Sequence, residues 1–192
     1  MHLAVAPSRR AFLLSSAAFV AAAAGAVAFA RWARASTIVG KPGMVTIEKF
    51  DDAGKSLGTE SIAKVVKTEA EWKAQLKDDL TFEVVRQEGT ETPFTGPNWD
   101  NHSAGLYRCI CCDNALYTND TKYDSGTGWP SFWQPIAKEN VVQAVPQQGG
   151  YKVSCALCDA HLGHVFDDGP KPTGLRYCMD GVAMRFIPQP TA

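Results

Sequence analysis

The chain has 192 residues, 45% of them apolar and 20% charged, with a formal net charge of −1. That length fits one domain of ordinary size plus an appendage, and the composition excludes a disordered chain. The balanced charge, with no basic stripe, argues against a nucleic-acid-binding surface.

The N-terminus reads as an address. Ser8-Arg9-Arg10-Ala11-Phe12-Leu13-Leu14 leads into a charge-free, alanine-rich stretch from Ala11 to Ala30. Small-x-small sites follow at Ala28-Phe29-Ala30 and Ala33-Arg34-Ala35. The pattern resembles a twin-arginine export signal with a signal-peptidase site. It predicts passage through the twin-arginine translocase and a periplasmic location. The alternative is a retained anchor, since twenty apolar residues form a helix of roughly 30 Å, enough to span a bilayer. Alanine is a weak membrane residue and cleavage sites are present, so removal is favoured, and membrane association is expected only if the segment stays uncut. Residues 1–35 are therefore set apart from the fold. Residues 36–64 form an extension, and 65–192 the main domain.

Along the remaining chain, Met44 to Phe50 alternates apolar and polar residues before the turn-like Asp51-Asp52-Ala53-Gly54-Lys55, which predicts a hairpin. Thr68 and Glu71 have capping-box spacing at the start of a short helix running to Leu76. Leu80 to Arg86 fits either a short helix or an extended segment. Gly89 to Asn101, rich in Gly, Pro, Thr and Asn, is a loop. After Tyr107, short apolar runs alternate with Gly, Asp and Pro clusters, at Val141-Val142, Tyr151 to Cys155, Leu175 to Cys178 and Val182 to Ile187. This pattern predicts short antiparallel strands rather than crossover helices, hence a mainly β domain with a helical lead-in.

All six cysteines lie in the second half: Cys109, Cys111, Cys112, Cys155, Cys158 and Cys178. So uneven a spread does not suit a disulfide framework for the whole chain. Cys109-x-x-Cys112 and Cys155-x-x-Cys158 supply two tight turns with two thiols each, the spacing of a four-thiolate zinc site. Disulfide bonding is the alternative in an exported protein. Folding and metal loading before export would protect the thiolates. With all four positions filled by protein, the zinc would be structural and take no part in catalysis.

Cys178 stands outside that set, in a strand-like Arg176-Tyr177-Cys178-Met179-Asp180. Strand alternation would turn Arg176, Cys178 and Asp180 to one face, where the guanidinium favours the reactive thiolate. An inert core cysteine is the plainer alternative. His161 and His164 follow the second metal turn and offer proton donors for an oxygen leaving group. Gly126-Thr127-Gly128-Trp129-Pro130-Ser131-Phe132-Trp133 is a glycine-bracketed aromatic loop in which Trp129 and Phe132 could wall an apolar pocket. Ordinary packing would also explain it.

Taken in order, these segments are similar to the B-type methionine-R-sulfoxide reductases, the MsrB family. The matching stretches are Gly89-Thr90-Glu91 through Phe94-Thr95-Gly96, Trp99-Asp100-Asn101-His102, Tyr107-Arg108-Cys109 with Cys112, Asp124-Ser125-Gly126 with Gly128 to Phe132, Cys155 through Phe166, and Arg176-Tyr177-Cys178. The resemblance covers residues 65–187. It implies two antiparallel β-sheets with short N-terminal helices and a structural zinc. It also implies reduction of the R epimer of methionine sulfoxide, free or in protein, a repair in which each epimer has its own enzyme. Cys178 would attack the sulfoxide sulfur and be left as a sulfenic acid. His161 and His164 would help protonate the oxygen, Arg176 would support the thiolate, and Trp129 would hold the methyl group.

Two positions depart from the family pattern. Thr127 stands where many members carry a resolving cysteine, so an external, thioredoxin-like reductant is expected to attack the sulfenic acid directly. Cys111 is the one spare thiol, read as a bystander in the metal turn. Asp180 stands where asparagine is usual. Its carboxylate would oppose Arg176 at Cys178, or pair with Arg176 or a histidine instead. On this reading Asp180→Asn keeps or improves activity.

Overall fold

The computed structural model describes residues 38–144 and 150–189. The export signal or anchor read from residues 1–35 lies outside them. Among the described residues, no helix is long and apolar enough to cross a membrane.

The fold begins with strand β1 (Ile38–Val39), the hairpin β2 (Met44–Phe50) and β3 (Ser56–Ala63), and β4 (Lys67–Thr68). The hairpin turns where Asp51 accepts the Ala53 and Lys55 amides through its carboxylate, an Asx-type turn that closes the loop locally. Helix α1 (Glu69–Leu76) starts at Thr68, whose hydroxyl accepts the Glu71 amide while the Glu71 carboxylate accepts the Thr68 amide. This reciprocal box satisfies two of the orphan amides of the first turn. Helix α2 (Asp79–Gln87) is capped by Asp78 through the Thr81 amide. The segment from Leu80 to Arg86, open between helix and strand in the sequence, is therefore helical. Thr81, Phe82, Val84 and Val85 are its buried residues.

Two antiparallel sheets form the body. The smaller has the order β13 (Met184–Pro188), β5 (Gly105–Cys109), β6 (Ala115–Thr118). The larger runs β7 (Lys122–Tyr123), β8 (Ser131–Phe132), β12 (Arg176–Met179), β11 (His161–Phe166), β10 (Tyr151–Cys155), β9 (Val141–Gln143). This is the mainly β fold with short N-terminal helices that the chain pattern predicts. The last strand starts later than expected, because Gly181–Ala183 form a 3-10 turn before it. Phe132 packs between Tyr117, stacked at 4.4 Å between centroids, and Tyr107, edge-on at 5.1 Å. Burying such aromatic surface contributes most of a core's stability, on the order of 2–3 kcal/mol per side chain.

β12 positions the chemistry. Tyr177 and Met179 are buried in the core, so the pleat turns Arg176 and Cys178 to the opposite, more open face. Cys178 lies opposite Ser131 of β8 on one side and His164 of β11 on the other.

Candidate active site and metal centre

Four of the cysteines converge from two alike turns. Cys109 ends β5 and Cys155 ends β10. In each, the amide of the fifth residue, Asp113 or Asp159, donates to the carbonyl of the first cysteine, and that aspartate is left-handed at φ 65° or 57°. The four Sγ atoms of Cys109, Cys112, Cys155 and Cys158 lie within 4.8 Å of one another. The cross-turn pairs Cys109–Cys158 and Cys112–Cys155 stand at 3.7 and 3.6 Å. The edge of a tetrahedron with metal–sulfur bonds of about 2.3 Å is about 3.8 Å, so the donor set fits a metal ion. All four are free cysteines.

The surroundings support that fit. A divalent ion held by four thiolates keeps a net charge of −2, which burial opposes unless a cation is near. The Arg86 guanidinium is such a cation. It stacks on Trp72 at 3.8 Å, and Nη1 donates to the Cys158 carbonyl at 2.8 Å. Its Nε and Nη2 are buried with no hydrogen-bond partner among the described residues. Cys111 is also buried in this turn and is not among the residues lining the cavity at Cys178.

Cys178 faces a cavity of about 130 Å³ lined by Thr90, Trp129, Gly163, His164, Phe166 and Asp180. Trp129 is fixed through its indole N–H, which donates to the Glu91 carbonyl at 3.2 Å. Gly128 precedes it at φ 87°, where an added Cβ would lie 2.7 Å from the Phe94 amide nitrogen. Only glycine lets the aromatic loop approach so closely.

A regular strand would send residues three apart to opposite faces. Even so, the His161 and His164 rings are 5.2 Å apart. The reason is a bulge. Val153 pairs with Gly163 but Ser154 pairs with His161, leaving Leu162 as the extra residue. Gly163, at φ 138°, lies against the Cys178 carbonyl, where a Cβ would sit 2.2 Å away. Burial pushes the His161 imidazole down to about 4, and burial with Lys152 nearby lowers His164 too, against the pull of Glu88. Both rings are therefore neutral at neutral pH, able to hydrogen-bond an oxygen but weak as acids.

Burial also pushes the Cys178 thiol up, although Thr127, Arg176 and Ser131 each pull it down. Thr127 Oγ1 lies 3.7 Å from Sγ, within a hydroxyl cluster of Ser125, Thr127 and Ser131 linked at 2.7–2.8 Å. The position expected to hold a resolving thiol is thus beside the nucleophile, and its hydroxyl favours the thiolate.

Asp180 is 3% exposed. Its Oδ1 accepts the Glu91 amide at 3.2 Å, and Oδ2 lies 3.8 Å from His161 Nε2. Burial first, and then the neighbouring Glu91 charge, push its carboxyl up to about 7 against the pull of that amide. Glu91 is buried too. Its carboxylate accepts the Gly181 and Val182 amides at 2.5 and 3.0 Å.

The SelR domain pattern matches residues 77–188, 112 of the 192. The chain belongs to the MsrB family of SelR-domain proteins. It is 48% identical over 130 residues to a protein of Herminiimonas arsenicoxydans called peptide methionine sulfoxide reductase MsrB, covering 66% of this chain and 94% of that one. A protein of the same name from Pseudomonas putida is 50% identical over 129 residues, covering 66% and 96%.

In this MsrB-family chain, the structure brings Cys178, His161, His164, Asp180 and Trp129 together. Two sequence expectations need correcting. Phe132 is fully buried against Tyr107 and Tyr117, so it is core and not pocket wall. Phe166 is the second aromatic of the cavity. Arg176 does not line the cavity or pair with Asp180. It stacks on Phe166 at 4.3 Å and forms a two-pronged ion pair with Asp168, both contacts 2.8 Å. Its charge still favours the Cys178 thiolate from behind the wall. Glu91 is a site residue that the sequence pattern does not single out, although it sits in the Gly89-Thr90-Glu91 motif. It ties Trp129, Asp180 and the following turn together.

Proposed function

We propose that this chain is a peptide-methionine (R)-S-oxide reductase with Cys178 as nucleophile. The observation that carries this reading is a lone cysteine opening into a small aromatic cavity, away from the four clustered thiols, in a chain of the MsrB family. The cavity has room for the methyl-sulfoxide end of a side chain. Trp129 and Phe166 offer a wall for the methyl group, and His164 and Asp180 a polar side for the oxygen. Fixing two substituents of a chiral sulfur leaves one epimer in line with the thiolate. Cys178 attacks, the oxygen is protonated, methionine leaves, and the sulfur of Cys178 is oxidised by two electrons to a sulfenic acid.

Regeneration follows from Thr127. A hydroxyl cannot form the disulfide, so a thioredoxin-like dithiol attacks the sulfenic sulfur, water leaves, and its second thiol breaks the mixed disulfide. The metal is zinc, held by Cys109, Cys112, Cys155 and Cys158, and its role is structural because no position is left open. Residues 1–35 direct the folded protein through the twin-arginine translocase to the periplasm, with membrane attachment only if they are not removed.

The deciding experiment supplies separate R and S epimers of a methionine-sulfoxide peptide with dithiothreitol, and runs Cys178→Ser alongside. Turnover of the R epimer alone, lost in the serine variant, supports the reading. Equal turnover by the variant overturns it. Mass spectrometry after one equivalent of substrate tests regeneration. A Cys111–Cys178 disulfide, absent from Cys111→Ser, contradicts the direct route. Metal analysis of the purified protein and N-terminal sequencing of its periplasmic form test the other two assignments.

A further inference from the structure

We propose that Asp180 is the acid of the cavity, the group that hands a proton to the sulfoxide oxygen as Cys178 attacks. This rests on the reductase reading and reverses the expectation that an asparagine there would serve as well.

Three observations place the carboxyl in that role. It lines the same small cavity as Cys178, two residues further along the chain. It is held in one orientation, with Oδ1 on the Glu91 amide and Oδ2 toward Nε2 of His161, which has no hydrogen-bond partner among the described residues. It also stands beside a second buried carboxyl, that of Glu91, which already accepts two backbone amides. Two adjacent buried carboxyls resist carrying two charges. Glu91, with its two donors, keeps the charge, and Asp180 keeps the proton.

The neighbouring ionisable groups agree. Glu91 comes from the loop after α2, His161 and His164 from β11, and Cys178 from β12. Glu88 and Lys152 act on the two imidazoles, and Arg176 acts on Cys178. The imidazoles are neutral near pH 7, whereas the Asp180 carboxyl, at about 7, still holds an acidic proton. A donor whose pKa lies near the working pH transfers its proton most effectively.

The proton balance closes on the two groups. Between the Asp180 value and the higher Cys178 value, the pair holds one proton. With that proton on Asp180, Sγ is the thiolate. Sγ gives an electron pair to the sulfoxide sulfur, and the oxygen takes the Asp180 proton. The protonated oxygen then passes to Sγ as the S–O bond and the new Sγ–S bond both break, and the electron pair of the Sγ–S bond leaves on the methionine sulfur. Thiol plus sulfoxide becomes sulfenic acid plus sulfide, with no net change in protons. The rate should therefore rise as pH passes about 7, where the second proton leaves the pair. It should fall above the Cys178 value, where the last proton leaves.

The test measures single-turnover sulfenic acid formation from the R epimer between about pH 5 and 10, in the full-length parent, Asp180→Asn and Asp180→Glu. Asparagine preserves the acceptor for the Glu91 amide, so folding should survive. The expected loss for Asp180→Asn at about pH 8 is roughly a hundredfold or more in the single-turnover rate at saturating substrate, with the half-saturating substrate concentration little changed. Its rate should lose the break near pH 7 and climb with the thiolate fraction, while Asp180→Glu recovers the break. Alkylation of Cys178 by iodoacetamide should be at least as fast in Asp180→Asn, since a negative charge has been removed. Activity within about threefold of the parent with the break retained, or alkylation slowed as much as turnover, overturns the proposal. A parent inactive on the R epimer at every pH overturns the reductase reading, and this one with it.

Discussion

The molecule uses the same side chain in two opposite settings. Four thiols are clustered by two backbone turns until each sulfur has the other three within 4.8 Å. One thiol stands on a strand face with hydroxyls on one flank, aromatic walls around it and space in front. Both settings are largely buried, so burial does not decide between ligand and nucleophile. What decides is whether an open position adjoins the sulfur and whether the nearby groups can move a proton. The metal turns have neither feature, and the cavity has both.

The sharpest way to break this comparison is to remove one sulfur from each setting. Cys178→Ser should lower turnover by about ten-thousandfold or more, as loss of a nucleophile does, with metal content and thermal unfolding unchanged. Cys155→Ser should do the reverse. It should lose the metal and several kcal/mol of stability, read by metal analysis and denaturant titration, while the Cys178 of any folded fraction still alkylates. Metal loss in Cys178→Ser would erase the distinction. Trp129 sharpens it by smaller steps. Trp129→Ala removes the cavity wall and should cost about a hundredfold in kcat/KM. Trp129→Phe keeps a ring but drops the bond to the Glu91 carbonyl, and should cost about tenfold or less.

What was legible in the sequence was what is local. The capping box at Thr68, the hairpin turn at Asp51 and the two metal turns are each specified within a few residues, so spacing alone reveals them. What was not legible depends on register between distant strands. Whether Phe132 or Phe166 faces the cavity follows from the pairing of β8, β12 and β11. The two histidines share a side only because Leu162 is an extra residue at a bulge, which their spacing of three does not announce. Arg176 and Asp168 are eight residues apart, but their pairing needs the turn between β11 and β12 to bring them together. Glu91 acts through amides ninety residues downstream, so its loop looked like any other.

The smallest expected effect probes the buried polar side of the cavity through the pH dependence of stability. His161 has its pKa pushed down to about 4 from 6.5, so the unfolded chain binds more protons than the folded one between those values. Its contribution to stability is full above about 6.5 and is lost as pH falls through about 4. Asp180 has the opposite sign. With its pKa raised from 3.8 to about 7, the folded chain binds more protons, and stability is lost as pH rises through about 7. Each slope is about 1.4 kcal/mol per pH unit, and the two windows overlap from roughly pH 4 to 6.5. Over that range they offset each other, so the parent should show a nearly flat contribution from this pair. Single substitutions should uncover the slopes. Asp180→Asn should become progressively less stable than the parent as pH falls, and His161→Gln progressively less stable as pH rises. Denaturant midpoints at several pH values read the difference, since contributions from groups distant from the substituted side chain cancel between parent and variant, while Glu91, coupled to Asp180, adds to the Asp180→Asn difference. If both variants simply shift in parallel with the parent, the carboxyl and the imidazole do not exchange roles as proton holders. The contrast between a closed sulfur knot and a proton-moving cavity then loses its electrostatic half.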